Sequence, residues 1–416
     1  MHRRTDVIVI GAGQAGLAMS HSLGEHGIEH VVCDRGEVGE RWRHERWPSL
    51  KLLSPNALIR LPGLEPVGKA PEGFMSAADF AATLRAYRRR IGAPVITGCA
   101  VLEVWREEGG FHVLTSQGPW TARAVVIATG ACDAPRIPGW AAALPPDIHQ
   151  LSAVDYRNPA ELPAGGVLVI GASATGVQLA AEIQASGRPV TLAVGRHVRS
   201  PRRYRGRDLL HWLDESGFLY EPRSDGIAPD RAMALPSLQL IGAKDGRDIG
   251  LAELAVAGVR VAGRAIGCSG ARVQFASSLA VECAAAELRR HRLLAEIDRH
   301  IAAARLSAPA DPAAWAPAAA LAAPPAALDL RAQRIATVVW ATGFRRTYPW
   351  LKLSVLDPAG ELVNRGGVTP IPGLYALGLP FMRHRSSAFI YGVGRDAEAL
   401  VPSIARHLDR RACRAA

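Results

Sequence analysis

The stretch Val7-Ile8-Val9-Ile10-Gly11-Ala12-Gly13-Gln14-Ala15-Gly16 decides the fold of this chain. Four β-branched residues run into a glycine-rich turn, and an alanine- and leucine-rich segment follows. A continuous apolar run predicts a strand that is buried on both faces. The glycines permit a tight turn, the approach of a diphosphate to the backbone, and close packing of a helix on the strand. The stretch therefore predicts a βαβ unit that binds a dinucleotide.

An acidic residue supports this prediction. The next predicted strand, His30-Val31-Val32-Cys33, is followed directly by Asp34. An acid at this distance from the glycines is placed to accept hydrogen bonds from a ribose 2′-hydroxyl. The free N–H groups and the positive dipole end of the helix would hold the diphosphate. A glycine fingerprint alone is weak, but here the strand, the helix and the acid accompany it.

The same pattern recurs at residues 166–176, where Gly171 and Gly176 flank Ser173, Ala174 and Thr175. Ser173 stands where the first unit has its middle glycine, and a serine still allows a backbone approach. After the next strand, Arg196 replaces the acid, which favours a 2′-phosphate and hence NADPH over NADH. For the cluster Arg199–Arg207 two alternatives stay open: contacts to the phosphates, or a solvated loop.

Composition limits the class of protein. The chain has 416 residues, 49% of them apolar and 21% charged, with no apolar run long enough to span a bilayer. Six scattered cysteines without a C-x-x-C pair disfavour a zinc site, a disulfide framework and a dithiol centre. The first strand leaves no room for a signal peptide, so we expect the cytoplasm. The net charge is +11, but the sequence has no motif typical of nucleic-acid-binding proteins. A nucleic-acid partner is therefore not predicted.

Several other elements follow from the pattern. Strands are predicted near residues 100–105, 111–115 and 121–127, and the last runs into Ala128-Thr129-Gly130. A second Ala341-Thr342-Gly343 follows the predicted strand 335–340. Ser76 and Asp79 predict the start of a helix that ends near Arg90. Long helices are expected at 276–306 and 395–410, whereas the alanine- and proline-rich stretch 308–327 is typical of a linker.

This arrangement resembles the class B flavin-dependent monooxygenases, which include flavin-containing and YUCCA-type enzymes, and within them a bacterial branch of flavoproteins. The motifs that carry the resemblance are 54–56, 201–208, 341–344 and 392–397. The resemblance implies an α/β fold with two Rossmann-like dinucleotide-binding domains. An FAD domain would comprise residues 1–155 and 330–416, and an NADPH domain, residues 156–329, would be inserted into it.

The resemblance also implies an activity and a set of site residues. FAD and NADPH would transfer one oxygen atom of dioxygen, through a peroxyflavin, to a nitrogen, sulfur or carbonyl centre of a small molecule. Asn56 is predicted as a catalytic amide donor near the flavin. The predicted cofactor-binding residues are Gly11, Gly13, Gln14, Ala15, Gly16, Asp34, Arg35, Arg41, Trp42, Val101, Ala128, Thr129, Gly130, Gly171, Ser173, Ala174, Thr175, Gly176, Arg196, Ala341, Thr342, Gly343, Gly378 and Ser387.

One departure from the family keeps alternatives open. The signature Phe-x-Gly-x-x-x-His of flavin-containing monooxygenases would fall at Pro146, Ile148 and Ser152, and none of these matches. A flavin reductase without oxygen insertion therefore stays open, as does a non-catalytic flavin-binding sensor. The substrate is not readable from the sequence, but the stretch after Phe218 is where we expect specificity. The oligomeric state is not readable either, and a homodimer stays an open alternative.

Overall fold

The computed structural model describes residues 3–64, 70–108, 110–222 and 237–415. In the first half, the helices and strands are β1 Arg3–Ile10, α1 Gln14–Glu25, β2 His30–Cys33, α2 Glu40–His44, α3 Ala77–Arg90, β3 Val95–Ile96, β4 Val101–Glu107, β5 Gly110–Thr115, β6 Gly118–Ile127, β7 Ala134–Pro135, β8 His149–Ser152, β9 Gly166–Ile170, α4 Ala174–Ala185 and β10 Val190–Ala193.

In the second half they are β11 Val198–Arg199, β12 Arg203–Tyr204, β13 Arg207–Asp208, α5 Leu209–Glu215, β14 Leu238–Gln239, α6 Leu251–Val256, β15 Arg260–Ala262, β16 Ala265–Ser269, β17 Arg272–Phe275, α7 Leu279–Ala303, β18 Ala327–Asp329, β19 Ile335–Trp340, β20 Phe344–Arg345, β21 Leu374–Ala376 and α8 Val393–Ala415. Among the described residues, no helix combines the length and the apolar content needed to cross a membrane.

The first sheet is built on the strand that the opening stretch predicts. Its order is β3-β2-β1-β6-β5-β4, and β21 pairs in parallel with β6. Val7 and Val9 face a core that includes α1, α3 and α8, whereas Ile8 and Ile10 face the core on the opposite side. All four side chains are buried, as a strand covered on both faces requires.

The second sheet repeats this plan. Its order is β15-β10-β9-β19-β8, and all of its strand pairs are parallel. Val167 and Val169 of β9 face one core, and Leu168 and Ile170 face the other. The two sheets therefore give the α/β fold two dinucleotide-type units.

The strand pairing differs from the predicted domain boundaries at residues 155 and 330. β8 and β19 were placed in the FAD domain by the split at 155 and 330, but β19 pairs with β9 and with β8 in the second sheet. The chain crosses between the units through the antiparallel pair of β7 with β20. The second unit therefore runs from about β7 to β20, because the strand before Ala341 returns to β9 rather than to β1.

Local capping and the two long helices follow the sequence closely. Ser76 and Asp79 form a reciprocal capping box at the start of α3, as predicted. α7 and α8 occupy the two expected long helical segments. The stretch 308–327 is irregular except for a 3-10 turn at Pro312–Trp315 and the start of β18. Part of the stretch after Phe218 where specificity is expected, residues 223–236, lies outside the described residues.

Candidate functional site: two glycine turns

In the first glycine turn, close backbone contacts leave no room for a side chain at Gly11 or Gly16. A Cβ atom on Gly16 would lie 1.7 Å from the carbonyl oxygen of Gly11, and one on Gly11 would lie 2.6 Å from that of Ala128. A Cβ on Gly13 would meet nothing within 4 Å. α1 starts after Gly13, and no side chain of Gly13 caps its first N–H groups.

Asp34 is bonded to this turn. Its Oδ2 accepts a hydrogen bond from Ala12 N at 2.6 Å, and its Oδ1 accepts one from Gly36 N at 2.9 Å. Burial raises the pKa of Asp34, although these two hydrogen bonds oppose the shift. The carboxyl group therefore also shapes the glycine turn, a role that its predicted ribose contact did not include. Val101 lies two residues beyond Cys99, whose N–H donates to Asp34 O at 2.7 Å.

Other predicted residues meet at the start of α1. Trp42 Nε1 donates to Gln14 Oε1 at 3.2 Å, and the Trp42 ring stands edge-on to Phe80 at 5.0 Å. A Cβ on Gly378 would lie 2.7 Å from Cβ of Ala15, so the end of β21 also reaches this turn. Gln14, Ala15, Trp42 and Gly378 thus surround one helix N-terminus.

Arg41, a predicted cofactor-binding residue in α2, is bonded to the chain after Gly130. It is bonded to the carbonyl of Cys132, lies 2.6 Å from Asp133 Oδ1 and lies 3.1 Å from Glu45 Oε2. Burial opposes the ionisation of Asp133, but hydrogen bonds from Thr347 and Arg41 outweigh it and lower its pKa. Arg35, by contrast, is exposed and pairs with Glu45 at 3.2 Å.

The second glycine turn has the same geometry as the first. A Cβ on Gly176 would lie 1.8 Å from Gly171 O, and one on Gly171 would lie 2.3 Å from Ala341 O. Ser173 has φ −78° and ψ −174°, close to the −80° and −171° of Gly13. Because this backbone conformation is open to any residue, serine replaces glycine here without strain. Its hydroxyl does not cap α4, which begins at Ala174.

Five arginines of the run after β10 form ion pairs with carboxylates of the chain. The pairs are Arg199–Glu287, Arg202–Asp208, Arg203–Glu72, Arg205–Asp298 and Arg207–Glu215. Arg202 and Asp208 are buried, whereas the pairs of Arg203 and Arg207 are exposed to solvent. Arg196 is exposed and has no hydrogen bond or ion pair with any described residue. It follows the end of β10, at the edge where a nucleotide 2′-phosphate binds in this kind of unit.

Asn56 lies in a 3-10 turn, Asn56–Leu58, after Pro55. Its Nδ2 donates to Ala70 O at 2.9 Å, and its Oδ1 is buried without a donor among the described residues. One N–H of the amide is therefore already used, and the second remains for the predicted donor role.

His384, in the turn before α8, was not among the predicted site residues, and it lies beside Ser386 and Asp396. His384 Nδ1 lies 3.0 Å from Ser386 Oγ, and His384 Nε2 lies 3.0 Å from Asp396 Oδ1. Ser386 Oγ also donates to Leu219 O, and both Ser386 and Asp396 are completely buried. This Ser–His–Asp chain cannot serve as a hydrolytic triad, because no substrate reaches the hydroxyl. The Asp396 in the Gly-Val-Gly-x-Asp motif was the available signal.

Ser387, a predicted cofactor contact, uses its hydroxyl within the same turn. Its Oγ accepts from the backbone N–H groups of Arg383 and His384 and donates to His384 O. Any contact of Ser387 with a cofactor would therefore come from its backbone. Thr342 is likewise engaged, since its hydroxyl donates to Arg136 O beside the crossing between the units.

These residues fit two dinucleotides. Each unit presents an uncapped helix N-terminus behind a glycine turn, and the Gly13 position leaves open space over the backbone. Such a site binds a diphosphate through N–H groups and the helix dipole. The acid follows the second strand only in the first unit, and the unpaired arginine only in the second.

Comparisons with known proteins agree with this geometry. Residues 8–213 match the family of pyridine nucleotide-disulphide oxidoreductases. The chain is 30% identical over 411 residues to the uncharacterized oxidoreductase CzcO-like of Geobacillus kaustophilus, covering 98% of this chain and 100% of the relative. Indole-3-pyruvate monooxygenase YUCCA1 of Oryza sativa subsp. japonica is 26% identical over 223 residues, 50% of this chain and 53% of the relative. A flavin-containing monooxygenase from Stenotrophomonas maltophilia superposes with a TM-score of 0.66 at 21% identity, covering 97% and 99% of the two chains.

The predicted fold class and resemblance are confirmed by these matches. At 21% identity the solved structure shows a common fold, and the near full-length match at 30% identity shows the family. The expected oxidoreductase class is confirmed as well. The chain therefore belongs to the CzcO-like oxidoreductases, which have the two-dinucleotide fold of the flavin-dependent monooxygenases.

Proposed function

We propose that this oxidoreductase is an NADPH- and FAD-dependent monooxygenase that transfers one atom of dioxygen to a nitrogen, sulfur or carbonyl centre of a small molecule. The main support is that the two glycine turns are followed by residues of opposite charge. Asp34 comes after the first turn, and Arg196, which has no partner among the described residues, comes after the second. When bound, FAD would accept electrons from NADPH and pass them to dioxygen.

The chain's own residues would place the two cofactors and exclude water. The N-terminus of α1 would hold the FAD diphosphate, and the N-terminus of α4 with Ser173 would hold that of NADPH. The bonds of Arg41 to Cys132 and Asp133 keep the loop beside Gly130 in place. Trp42 is partly buried and packs against the cores of both units, which favours a closed seam between them.

The relatives give the proposal its reaction type. The YUCCA1 match carries the name of an indole-3-pyruvate monooxygenase, and the solved structure that of a flavin-containing monooxygenase. The decisive experiment measures oxygen uptake and product formation with NADPH across amines, sulfides and ketones. We expect oxygen uptake to rise with one substrate class and an oxygenated product to form in proportion to NADPH. NADPH consumption that yields only hydrogen peroxide with every class would contradict oxygen insertion.

A second candidate is an NADPH-dependent reductase that does not insert oxygen. The bond from Asn56 Nδ2 to Ala70 O favours it, because that bond already uses part of the amide expected to act as a donor. This candidate predicts fast anaerobic oxidation of NADPH by an artificial electron acceptor and no oxygenated product in air. The product assay therefore separates the two candidates.

Replacing Arg196 with alanine is expected to raise the KM for NADPH about 10- to 150-fold, because a hydrogen bond to a charged group contributes about 1.5–3 kcal/mol. The KM for NADH should change little, since NADH has no 2′-phosphate. Steady-state kinetics with both nucleotides test this. The matched control is Arg203→Ala, in which the arginine lost is half exposed and lies 3.9 Å from Glu72. Equal changes for NADH and NADPH would exclude the 2′-phosphate contact.

Replacing Asn56 with alanine is expected to leave the rate of anaerobic flavin reduction by NADPH unchanged while more peroxide is released per NADPH consumed. The reason is that the side chain would no longer offer its remaining amide N–H as a hydrogen-bond donor at the proposed site of oxygen reaction. A peroxide assay coupled to NADPH absorbance measures the ratio. The control Asn158→Ala removes an amide in the second unit whose Oδ1 accepts a hydrogen bond from Ala160 N. If the variant releases as much peroxide per NADPH as the parent protein, Asn56 is not a catalytic residue.

A further inference from the structure

Four side chains form a bonded and stacked group beside the 3-10 turn Asn56–Leu58. Arg60, which follows this turn, donates through Nη2 to Asp214 Oδ2 at 2.6 Å. Asp214 Oδ1 accepts a hydrogen bond from Tyr220 Oη at 2.6 Å. The guanidinium carbon of Arg395 lies 3.6 Å from the centroid of the Tyr220 ring. This arginine–tyrosine cluster therefore connects the turn of the proposed catalytic amide to α5 and to the start of α8.

The arginine–tyrosine cluster has an excess positive charge. Asp214 is the carboxylate of the cluster, and Arg60 already pairs with it. Arg395 is exposed and has no hydrogen bond or ion pair with any described residue. Burial raises the pKa of Tyr220 to about 12, and its hydrogen bond to Asp214 adds to the shift, so this hydroxyl is neutral near pH 7. The charge of Arg395 is therefore not compensated within the cluster.

The next carboxylate, Glu221, does not compensate Arg395 either. Glu221 Oε2 accepts a hydrogen bond from Arg385 Nε at 3.0 Å. The guanidinium carbon of Arg385 also lies 4.3 Å from the centroid of the Phe218 ring. Both arginines are thus stacked on an aromatic ring, but Arg385 has an acidic partner and Arg395 has none among the described residues. A cation that is stacked on a ring keeps its N–H groups available for an anion.

A buried tyrosine hydroxyl without a partner adjoins the cluster. Tyr391 is 5% exposed and lies in one apolar core with Leu58, against which Phe218 and Tyr220 also pack. Burial raises the pKa of Tyr391, and the nearby Tyr220 and Asp214 add to the shift, so its hydroxyl is protonated near pH 7 and can donate. It nevertheless forms no hydrogen bond with any described residue. Because buried polar groups are nearly always bonded, this hydroxyl favours a ligand as its partner.

Phe389 adds an apolar surface next to this hydroxyl. Its ring is 44% exposed and stands edge-on to Tyr391, with 5.5 Å between the ring centroids. Edge-on and offset contacts are the arrangements that aromatic rings prefer, so the exposed part of Phe389 suits a further ring.

We propose that Arg395, Tyr391 and Phe389 bind an aromatic carboxylate. The carboxylate lies on the guanidinium of Arg395, whose planar fork matches it, the ring packs against Phe389, and the hydroxyl of Tyr391 donates a hydrogen bond to the ligand. This assignment rests on the proposed function, since it gives the oxygenation site beside Asn56 a substrate class: aromatic acids that carry the nitrogen, sulfur or carbonyl centre. Tyr220, which supports Arg395, lies in the stretch after Phe218 where specificity is expected.

The first test measures binding to the full-length protein with bound flavin by isothermal titration calorimetry. The probes are 2-naphthoate and its neutral amide, 2-naphthamide. We expect one saturable 2-naphthoate site per chain and an affinity about tenfold higher than that of the amide, because one hydrogen bond to a charged group has this effect. The preference should disappear in Arg395→Gln. The control Arg406→Gln removes another exposed arginine of α8 and should retain it. Absence of saturable binding, or an unchanged preference in Arg395→Gln, overturns the site.

The second test concerns the hydroxyl and the location of the site. Tyr391→Phe keeps the ring and should raise the Kd of 2-naphthoate about threefold or more, the effect of one neutral hydrogen bond, while the flavin content stays the same. An unchanged Kd overturns the role of Tyr391. Saturating NADP⁺ should leave the Kd of 2-naphthoate unchanged, because the nucleotide is expected at the second glycine turn. Competitive displacement by NADP⁺ would assign the bound anion to the nucleotide site and overturn the proposal.

None of these binding measurements requires turnover, so their outcome is separable from that of the oxygenation assay. If 2-naphthoate binds through Arg395 but no compound yields an oxygenated product, the carboxylate site is supported and the monooxygenase function is contradicted. If amines, sulfides or ketones yield oxygenated products but 2-naphthoate does not bind, the carboxylate site alone is contradicted.

Discussion

Replacing Gly176 with alanine is expected to lower NADPH-driven flavin reduction about 100-fold or more while the protein keeps its FAD. A Cβ at this position would lie 1.8 Å from the carbonyl oxygen of Gly171, so α4 and the glycine turn must move apart. A displacement of about 1 Å at a binding site is enough to cost about 100-fold in rate. Anaerobic stopped-flow reduction by NADPH measures the effect.

The first unit provides the reciprocal experiment. In Gly16→Ala the new Cβ would lie 1.7 Å from Gly11 O, so the flavin content after purification should fall. In Gly176→Ala the flavin should remain and should still be reduced by dithionite, since the first turn is unchanged. The control Gly267→Ala lies in β16, where a Cβ meets nothing within 4 Å. Loss of flavin from Gly176→Ala, or normal reduction by NADPH, would contradict the division of the cofactors between the units.

The elements around the glycine turns could be predicted because their signals are local. Each buried strand is a continuous apolar run, and each turn needs glycine where two backbones meet. The start of α3 was equally predictable, since Ser76 and Asp79 satisfy each other within three residues. Such features depend on neighbours along the chain, which a sequence pattern records directly.

The domain boundaries could not be predicted in the same way. β19 contains an ordinary apolar run, and nothing in that run selects β9 over β1 as its partner. The selection depends on contacts between residues about 170 positions apart in sequence. Both units end a strand in Ala-Thr-Gly, at Ala128 and at Ala341, so the repeat itself made the assignment ambiguous.

The roles of the polar residues were the least predictable part of the site. The sequence of the arginine run after β10 looks the same whether its side chains bind phosphate or carboxylates. Only the fold shows which acidic residues lie beside them. Glu287 and Asp298, for example, come from α7, far along the chain from the arginines they pair with. Their positions leave Arg196 as the exposed cation of this run without a described partner, and that difference gives the NADPH proposal its structural basis.

The buried pair of Arg202 with Asp208 leads to the second large effect: Arg202→Met is expected to lower the free energy of unfolding by about 3–5 kcal/mol. The two side chains are 1% and 4% exposed. Removal of the arginine leaves the carboxylate of Asp208 buried without its cation. Arg202 Nη1 also donates to Leu53 O at 2.9 Å, and its guanidinium lies 4.9 Å from the Phe74 ring centroid, so the loop before Asn56 loses its support as well.

Urea unfolding followed by circular dichroism and flavin fluorescence measures this loss. The control Arg247→Ala breaks a pair with Asp245 whose side chains are 62% and 56% exposed, and it should cost only about 0–1 kcal/mol. The double variant Arg202→Met/Asp208→Asn should recover part of the loss, because asparagine carries no charge and still caps α5 through Leu210 N. If Arg202→Met unfolds at the same urea concentration as Arg247→Ala, the buried pair does not stabilise the fold. If the double variant is no more stable than Arg202→Met, the unpaired charge is not the cause, and the contacts of Arg202 with Leu53 and Phe74 carry its effect.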